Sequence, residues 1–416
     1  MLTPTASAGA AAIGMSLMIS VAVQPPAFVL PAPTGPHPVG TASWRLTDES
    51  RRETFAESGP RQIEVLAWYP AAAEGGAPAP YLREGPIEAR TWAKLLKGSE
   101  TLFDGLTGVV THARLDAPLA SGPRAVPVLL FSHGYTSLAS AYTGLMEDLA
   151  SHGYAVLSVV HPYEVAVATI GDGRTVTMLD ESGTFRQGIR DVFAEWGPED
   201  ATMAKVTAAS GREEQRALLR GYISKIPKTD AALRRWVDDT TVVLSSLGQP
   251  GRELPAQLAG RFDLSRVAAF GHSMGGVTSA QFCSSDRRCR AALNLDGIPQ
   301  YGTMIDRPLD RPFLMVYSAR AGRAGASDAI YARAAAPYYR VDVRDTLHLD
   351  FCDLNFWGGP MRERGAFGAI PPARAADITR TIVREFFDQE LLGRKSALLS
   401  GARPFIEVTV SQPAHR

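Results

Sequence analysis

From about residue 125 onward, apolar runs and turn residues alternate in a repeating pattern. The stretch AVPVLLFSHG (125–134) is almost continuously apolar and ends in a glycine turn. A strand that meets water on neither face reads this way, as in parallel sheets. SLASAYTGLMEDLASHG (137–153) follows with helical spacing and stops at Gly153. YAVLSVVHP (154–162) is a second buried strand. RVAAFGHS (266–273), AALNLDG (291–297), PFLMVYSA (312–319) and YYRVDVRD (338–345) continue the series. MGGVTSAQFC begins a helix, and ARAADITRTIVREFFDQEL is a closing amphipathic helix. Alternating buried strands and helices predict an α/β fold: a mostly parallel central sheet with helices on both faces.

Other segments depart from this pattern. ASWRLTD and IEVLAWYP predict an antiparallel start to the sheet, and GDGRTVTMLD (171–180) a hairpin with an Asp-Gly turn. Residues 72–123 are loop-rich, with a short helix near 87–97. Charged, helix-rich sequence over about 182–245 forms an excursion between strands that ends in a core helix. The domain is expected over 31–394, entered through the Pro/Gly-rich stretch 25–40. FIEVTV, in the tail 395–416, has no place set by the pattern. Residues 8–23 are an apolar run of 16, short for a membrane span and suited to a signal-peptide core within an apolar 1–30 segment. The competing reading is a mis-assigned start that truncates a longer signal or anchor. Secretion or periplasmic export is expected, with membrane-surface association as an option.

Charge and cysteine content narrow the picture. Lys and Arg number 43, as do Asp and Glu, so nothing points to nucleic acid. Three cysteines are too few for a disulfide framework. Cys283 and Cys289 flank SSDRR; they form a local disulfide in an oxidising compartment or remain two thiols. No CxxC or HExxH spacing occurs, so neither a zinc site nor any other metal or cofactor is expected.

VAAFGHSMGGVTSA (267–280) carries the sharpest signal. Gly271-His272-Ser273-Met274-Gly275 fits G-x-S-x-G, with a buried strand before it and a helix after it. In that context the chain reverses sharply and presents Ser273 at the carboxyl end of the sheet. The helix beginning at Met274 aims backbone N–H groups at the same point, where developing negative charge is favoured. A serine nucleophile needs a base to accept its proton. In this type of fold the chain order is serine, acid, histidine. Of eight histidines, only His348 and His415 follow Ser273, and His415 is the penultimate residue. His348 is therefore the expected base. Asp296 ends the next strand, and Asp328 lies past the following one; spacing favours Asp296. Asp345 and Asp350 are too close to His348 in sequence to orient its far nitrogen. The backbone N–H groups of Met274 and of Tyr135, after Gly134, are the expected oxyanion donors. His133 is expected to brace that loop, and His272 to make a local hydrogen bond. Phe351, Phe356 and Trp357 are candidates for an apolar pocket wall or for plain core packing.

FSHGYTS, GHSMGG, LNLDG and LHLDFCD, in this order, resemble the plasma-type (isoform II) platelet-activating factor acetylhydrolases and their bacterial relatives. PAPTGPHPVG followed by IEVLAWYPA resembles the same family's N-terminal region. The similarity covers roughly residues 31–392. It implies an α/β-hydrolase fold, no metal requirement and a triad of Ser273, Asp296 and His348. It also implies Tyr135 and Met274 as oxyanion donors. Two features depart from the family: Met274 replaces a bulky aromatic, and the helical insertion is long. The resulting expectation is a serine carboxylic-ester hydrolase acting on short-acyl esters, with a small-molecule or lipid ester as substrate. A broader polyester, lipase-like, amide or thioester hydrolase is the first alternative. A non-catalytic binding protein on the same scaffold is the second. The sequence leaves the oligomeric state open.

Overall fold

The computed structural model describes residues 28–413 apart from 73–75, 121–124, 250, 252, 308, 334–335 and 358. The apolar run 8–23 and His415 lie outside these residues. Thirteen strands are present among them: β1 (Val39–Arg52), β2 (Pro60–Pro70), β3 (Pro78–Pro80), β4 (Val110–Leu115), β5 (Val126–Ser132), β6 (Ala155–Val160), β7 (Val167–Thr169), β8 (Thr175–Thr177), β9 (Phe262–His272), β10 (Cys289–Leu295), β11 (Phe313–Tyr317), β12 (Tyr338–Val343) and β13 (Val408–Ser411). Eleven of them form one sheet in the order β13-β12-β11-β10-β9-β5-β6-β2-β1-β4-β3. The six strands from β6 to β12 across its centre pair in parallel. β1 pairs antiparallel with β2, the antiparallel start expected of these two runs, and β2 pairs antiparallel with β6.

The central strands read as unbroken apolar runs because they face two cores. In β5, Leu129 and Phe131 enter one core while Val128 and Leu130 enter the other. Successive side chains of a strand point to opposite faces, so both sets must be apolar. The first core receives Met146 and Leu149 from helix Thr143–Ser151 and Ile382 and Phe386 from helix Pro372–Leu392. Val243 and Leu247 of helix Pro227–Leu247 and Ala280 of helix Met274–Ser285 enter the second. This is the α/β-hydrolase fold.

Topology then fixes where a site can form. The chain runs from β5 to β6 on one side, then returns past the helical excursion to β9 on the other side of β5. Loops leaving β5 and β9 therefore diverge and open a crevice at the carboxyl ends of the strands, where ligands of open α/β sheets bind. The excursion contains helices Gln187–Trp196, Glu199–Ala208, Arg212–Ile223 and Pro227–Leu247, the last being the crossover that delivers the chain to β9. β7 and β8 make the small hairpin around Asp172-Gly173. The C-terminal segment, which the pattern left unplaced, adds β13 antiparallel to β12 at the sheet edge. Among the described residues no helix is long and apolar enough to cross a membrane.

Cys283 and Cys289 are joined in a disulfide between the end of helix Met274–Ser285 and the start of β10. Cys352 is a buried free thiol. The bridge joins residues only 6 apart, so it removes little freedom from the unfolded chain. Replacing both cysteines by serine should cost about 2 kcal/mol in denaturant unfolding, with the fold retained.

Candidate active site

The turn after β9 is a strained point of the chain. Ser273 sits at φ 56°, ψ −129°, a conformation that side-chain-bearing residues rarely adopt. Its N–H is held by the Leu295 carbonyl at 2.9 Å. Two glycines make this geometry reachable. A Cβ on Gly275 would lie 1.9 Å from the Ser132 carbonyl oxygen, and one on Gly271 2.3 Å from the Gly275 carbonyl carbon. The turn is thus wedged against the end of β5, and no other side chain fits at either position. Ser273 Oγ makes no hydrogen bond of its own among the described residues. In unliganded sites a nucleophile–base bond is often long and tightens only with substrate.

The structure brings the sequence-derived Ser273, Asp296 and His348 to the wall of one pocket of about 210 Å³. His348 begins a short 3₁₀ turn, His348–Phe351, on the loop after β12. Its Nδ1 donates to Asp296 Oδ2 at 2.7 Å. Asp296 is buried at the end of β10 and also accepts the Ser318 N–H at 2.8 Å and the Ser318 hydroxyl at 2.9 Å. Burial alone pushes this carboxyl up. Its hydrogen bond and charge interaction with His348, the Ser318 N–H and the Arg320 charge outweigh that and hold it below the ordinary Asp value. Asp328 is committed elsewhere, to the hydroxyls of Tyr317 and Tyr338 and to Arg340. Asp350 accepts the Leu347 and Gly368 N–H groups.

Met274 lines the same pocket, and Tyr135 follows the carboxyl end of β5. The backbone N–H groups of both find no acceptor among the described residues. His133 fixes the orientation of the Gly134–Tyr135 peptide. Its Nδ1 donates to the Gly134 carbonyl at 2.8 Å, and its Nε2 accepts the His161 N–H at 3.3 Å. In a trans peptide, C=O and N–H point opposite ways. Holding the carbonyl toward His133 therefore turns the Tyr135 N–H away from it. Burial and the neighbouring His161 push His133 down to about 3, so it is neutral and its second nitrogen is free to accept.

As to the two readings of Phe351, Phe356 and Trp357, the pocket at Ser273 includes none of them in its wall, and Phe351 and Trp357 pack in the core. Phe351 lies in a separate small cavity with Tyr142 and Asp353. Trp357 packs on Trp92 and Phe103, with its Nε1 on the Tyr81 hydroxyl, and Phe356 stacks on Phe28. Phe351 lies in the 3₁₀ turn that begins at His348 and Trp357 in the next, Asp353–Trp357; both are buried, while Phe356 is half-buried. Trp196 and Glu199 from the helical excursion, with Val277, Ile298, Tyr301 and Arg320, line the pocket in their place. The sequence marked the stretch that carries Trp196 and Glu199 only as charged and helix-rich. Nothing local marks the others.

The sequence profile of "Platelet-activating factor acetylhydrolase, isoform II" matches residues 26–391. The chain belongs to this family. The Gallus gallus platelet-activating factor acetylhydrolase is 24% identical over 88% of this chain and 84% of that protein. The Cavia porcellus protein of the same name is 26% identical over 64% of this chain. That match spans 55% of the guinea-pig protein, about half its length. A solved ferulic acid esterase from Streptomyces cinnamoneus superposes with a TM-score of 0.69 at 27% identity, covering 92% of this chain and 99% of that one.

The wedge at Gly275 has a direct test. Gly275→Ala should destabilise the protein by more than about 2 kcal/mol in denaturant unfolding, because the new methyl meets backbone rather than a movable side chain. An unchanged midpoint would show that the elbow relaxes freely.

Proposed function

We propose that this acetylhydrolase-family chain is a serine carboxylic-ester hydrolase acting through an acyl-enzyme. The observation that carries the reading is the His348 Nδ1–Asp296 bond in a pocket shared with Ser273. Ser273 Oγ attacks the ester carbonyl while His348 Nε2 takes its proton. Asp296 holds the imidazole in the tautomer that leaves Nε2 free and stabilises the imidazolium that forms. The carbonyl oxygen, now an oxyanion, is met by the N–H groups of Tyr135 and Met274. Collapse breaks the C–O bond, and the departing alkoxide takes the proton from His348. Water then repeats the sequence on the acyl-enzyme and restores Ser273.

Short-acyl esters fit a pocket of about 210 Å³ best. Trp196 and Tyr301 in its wall favour a second substrate class, compact aromatic acyl groups, the class named for the Streptomyces neighbour. The Cys283–Cys289 bridge supports an oxidising, exported setting.

The test is hydrolysis of p-nitrophenyl acetate, p-nitrophenyl octanoate and methyl ferulate by purified wild type and variants. Ser273→Ala should lower kcat on the order of 10⁴-fold or more. Asp296→Asn should lower it by about 10⁴-fold, through the wrong imidazole tautomer. Acetate should exceed octanoate in kcat/KM. Equal rates for wild type and Ser273→Ala would sink the reading and leave a binding role.

A further inference from the structure

His272, beside the elbow serine, touches both halves of the site. Its Nε2 lies 2.8 Å from the backbone carbonyl of His348, and its Nδ1 lies 2.9 Å from the Tyr142 hydroxyl. The same hydroxyl accepts the Gly134 N–H at 3.0 Å. Gly134 immediately precedes Tyr135, whose N–H faces no acceptor. One continuous chain of three hydrogen bonds therefore runs from the loop after β5, through the turn after β9, to the loop after β12. His272 and Tyr142 are both buried, so water does not replace any of these partners.

The proton positions along this chain are fixed by elimination. The His348 carbonyl can only accept, so His272 Nε2 carries hydrogen. Burial and the neighbouring His348 ring push His272 down to about 3, so the ring is neutral and its Nδ1 is an acceptor. The Tyr142 hydroxyl must then donate its one proton to Nδ1. That leaves its oxygen free to accept from Gly134 and prevents it from donating to Ser137, 3.3 Å away. The other His272 tautomer would set a lone pair against the His348 carbonyl oxygen and push that loop outward.

We propose that Tyr142 and His272 are positioning residues that lock the base-bearing loop to the oxyanion loop, Tyr142 by selecting the His272 tautomer. This rests on the reading of Ser273 and His348 as nucleophile and base. Neither residue touches substrate; each acts on where His348 and Tyr135 stand. Because alignment matters most in the transition state, the lock acts on kcat rather than on KM.

Four variants test it: Tyr142→Phe, His272→Leu, His272→Gln and the Tyr142→Phe/His272→Leu double variant. Each is assayed for kcat and KM on p-nitrophenyl acetate, for the second-order rate of fluorophosphonate labelling and for Tm, beside wild type and Ser273→Ala. Tyr142→Phe and His272→Leu should each lower kcat and the labelling rate by about 10- to 100-fold, with KM within about twofold. The double variant should lose little more than the worse single one, because one chain is broken once. His272→Gln keeps an acceptor and a donor and should recover most of the lost rate. Wild-type kcat in Tyr142→Phe, fully additive losses, or no difference between His272→Gln and His272→Leu would each overturn the proposal. If Tyr142→Phe does not fold, the Gln and Leu pair decides alone. Activity or labelling that persists in Ser273→Ala would instead overturn the reading on which it rests.

Discussion

The contact between the elbow and the end of β5 is the constraint on which the site depends. Ser273 reaches its positive-φ conformation only because Gly275 lies against the Ser132 carbonyl with no room for a Cβ. That same contact sets the distance between the turn after β9 and the loop that begins at His133. Ser132 pairs with Gly271 in the parallel ladder, so the two strand ends finish level with each other. The crevice between them follows from the switch in strand order around β5. Strain stored at one residue is thus held by the packing of two whole strands, each buried on both faces.

Beside the loop after β5 lies a buried polar network outside the pocket that holds Ser273, Asp296 and His348. Arg61 pairs with Asp239 and Glu53, and Asp239 also accepts from His161 at 2.8 Å. Burial alone pushes the Asp239 carboxyl up, and the Arg61 charge with His161 outweighs it and holds it well down. Glu164 receives Arg235 and the Trp236 indole N–H, while its backbone carbonyl accepts the Thr136 N–H at 2.8 Å. Removing one partner of such a buried pair costs about 3–5 kcal/mol, since the other charge is left without a partner or water. The network joins β2, the end of β6 and helix Pro227–Leu247. It makes the helical excursion part of the scaffold for the site rather than an appendage. Tyr135 confirms the link in its packing, its ring lying 5.5 Å from Trp196 and 5.8 Å from Trp236.

Much of this was readable along the chain, and the reason differs by element. β5, β6, β9, β10 and β11 announce themselves because burial on both faces demands unbroken apolar runs. The elbow is legible because its glycines, serine and flanking elements are contiguous. His348 follows from chain order, which topology imposes on this fold. Asp296 and Asp328 were separated in sequence by spacing and by the family resemblance. In space the difference is plain: Asp296 meets His348, and Asp328 is taken up by two tyrosines and Arg340. β13 was hidden because an edge strand of four residues carries too short an alternation to assign a partner.

The sequence by itself determined the fold class, the sharp serine turn and the chain order of the candidate residues Ser273, Asp296 and His348. Each of these is local or is dictated by connectivity. Only the tertiary structure decided the pocket wall and the buried bonds around it. Phe351 and Trp357 lie near His348 in sequence, but they sit in two successive 3₁₀ turns, His348–Phe351 and Asp353–Trp357, and both are buried away from that pocket. Trp196 and Glu199 lie far from Ser273 in sequence and reach it because the helical excursion folds over the crevice. The hydrogen bonds through His272 and Tyr142 join loops more than a hundred residues apart. No sequence period encodes such a meeting; it exists only once two cores have packed the strands that carry those loops.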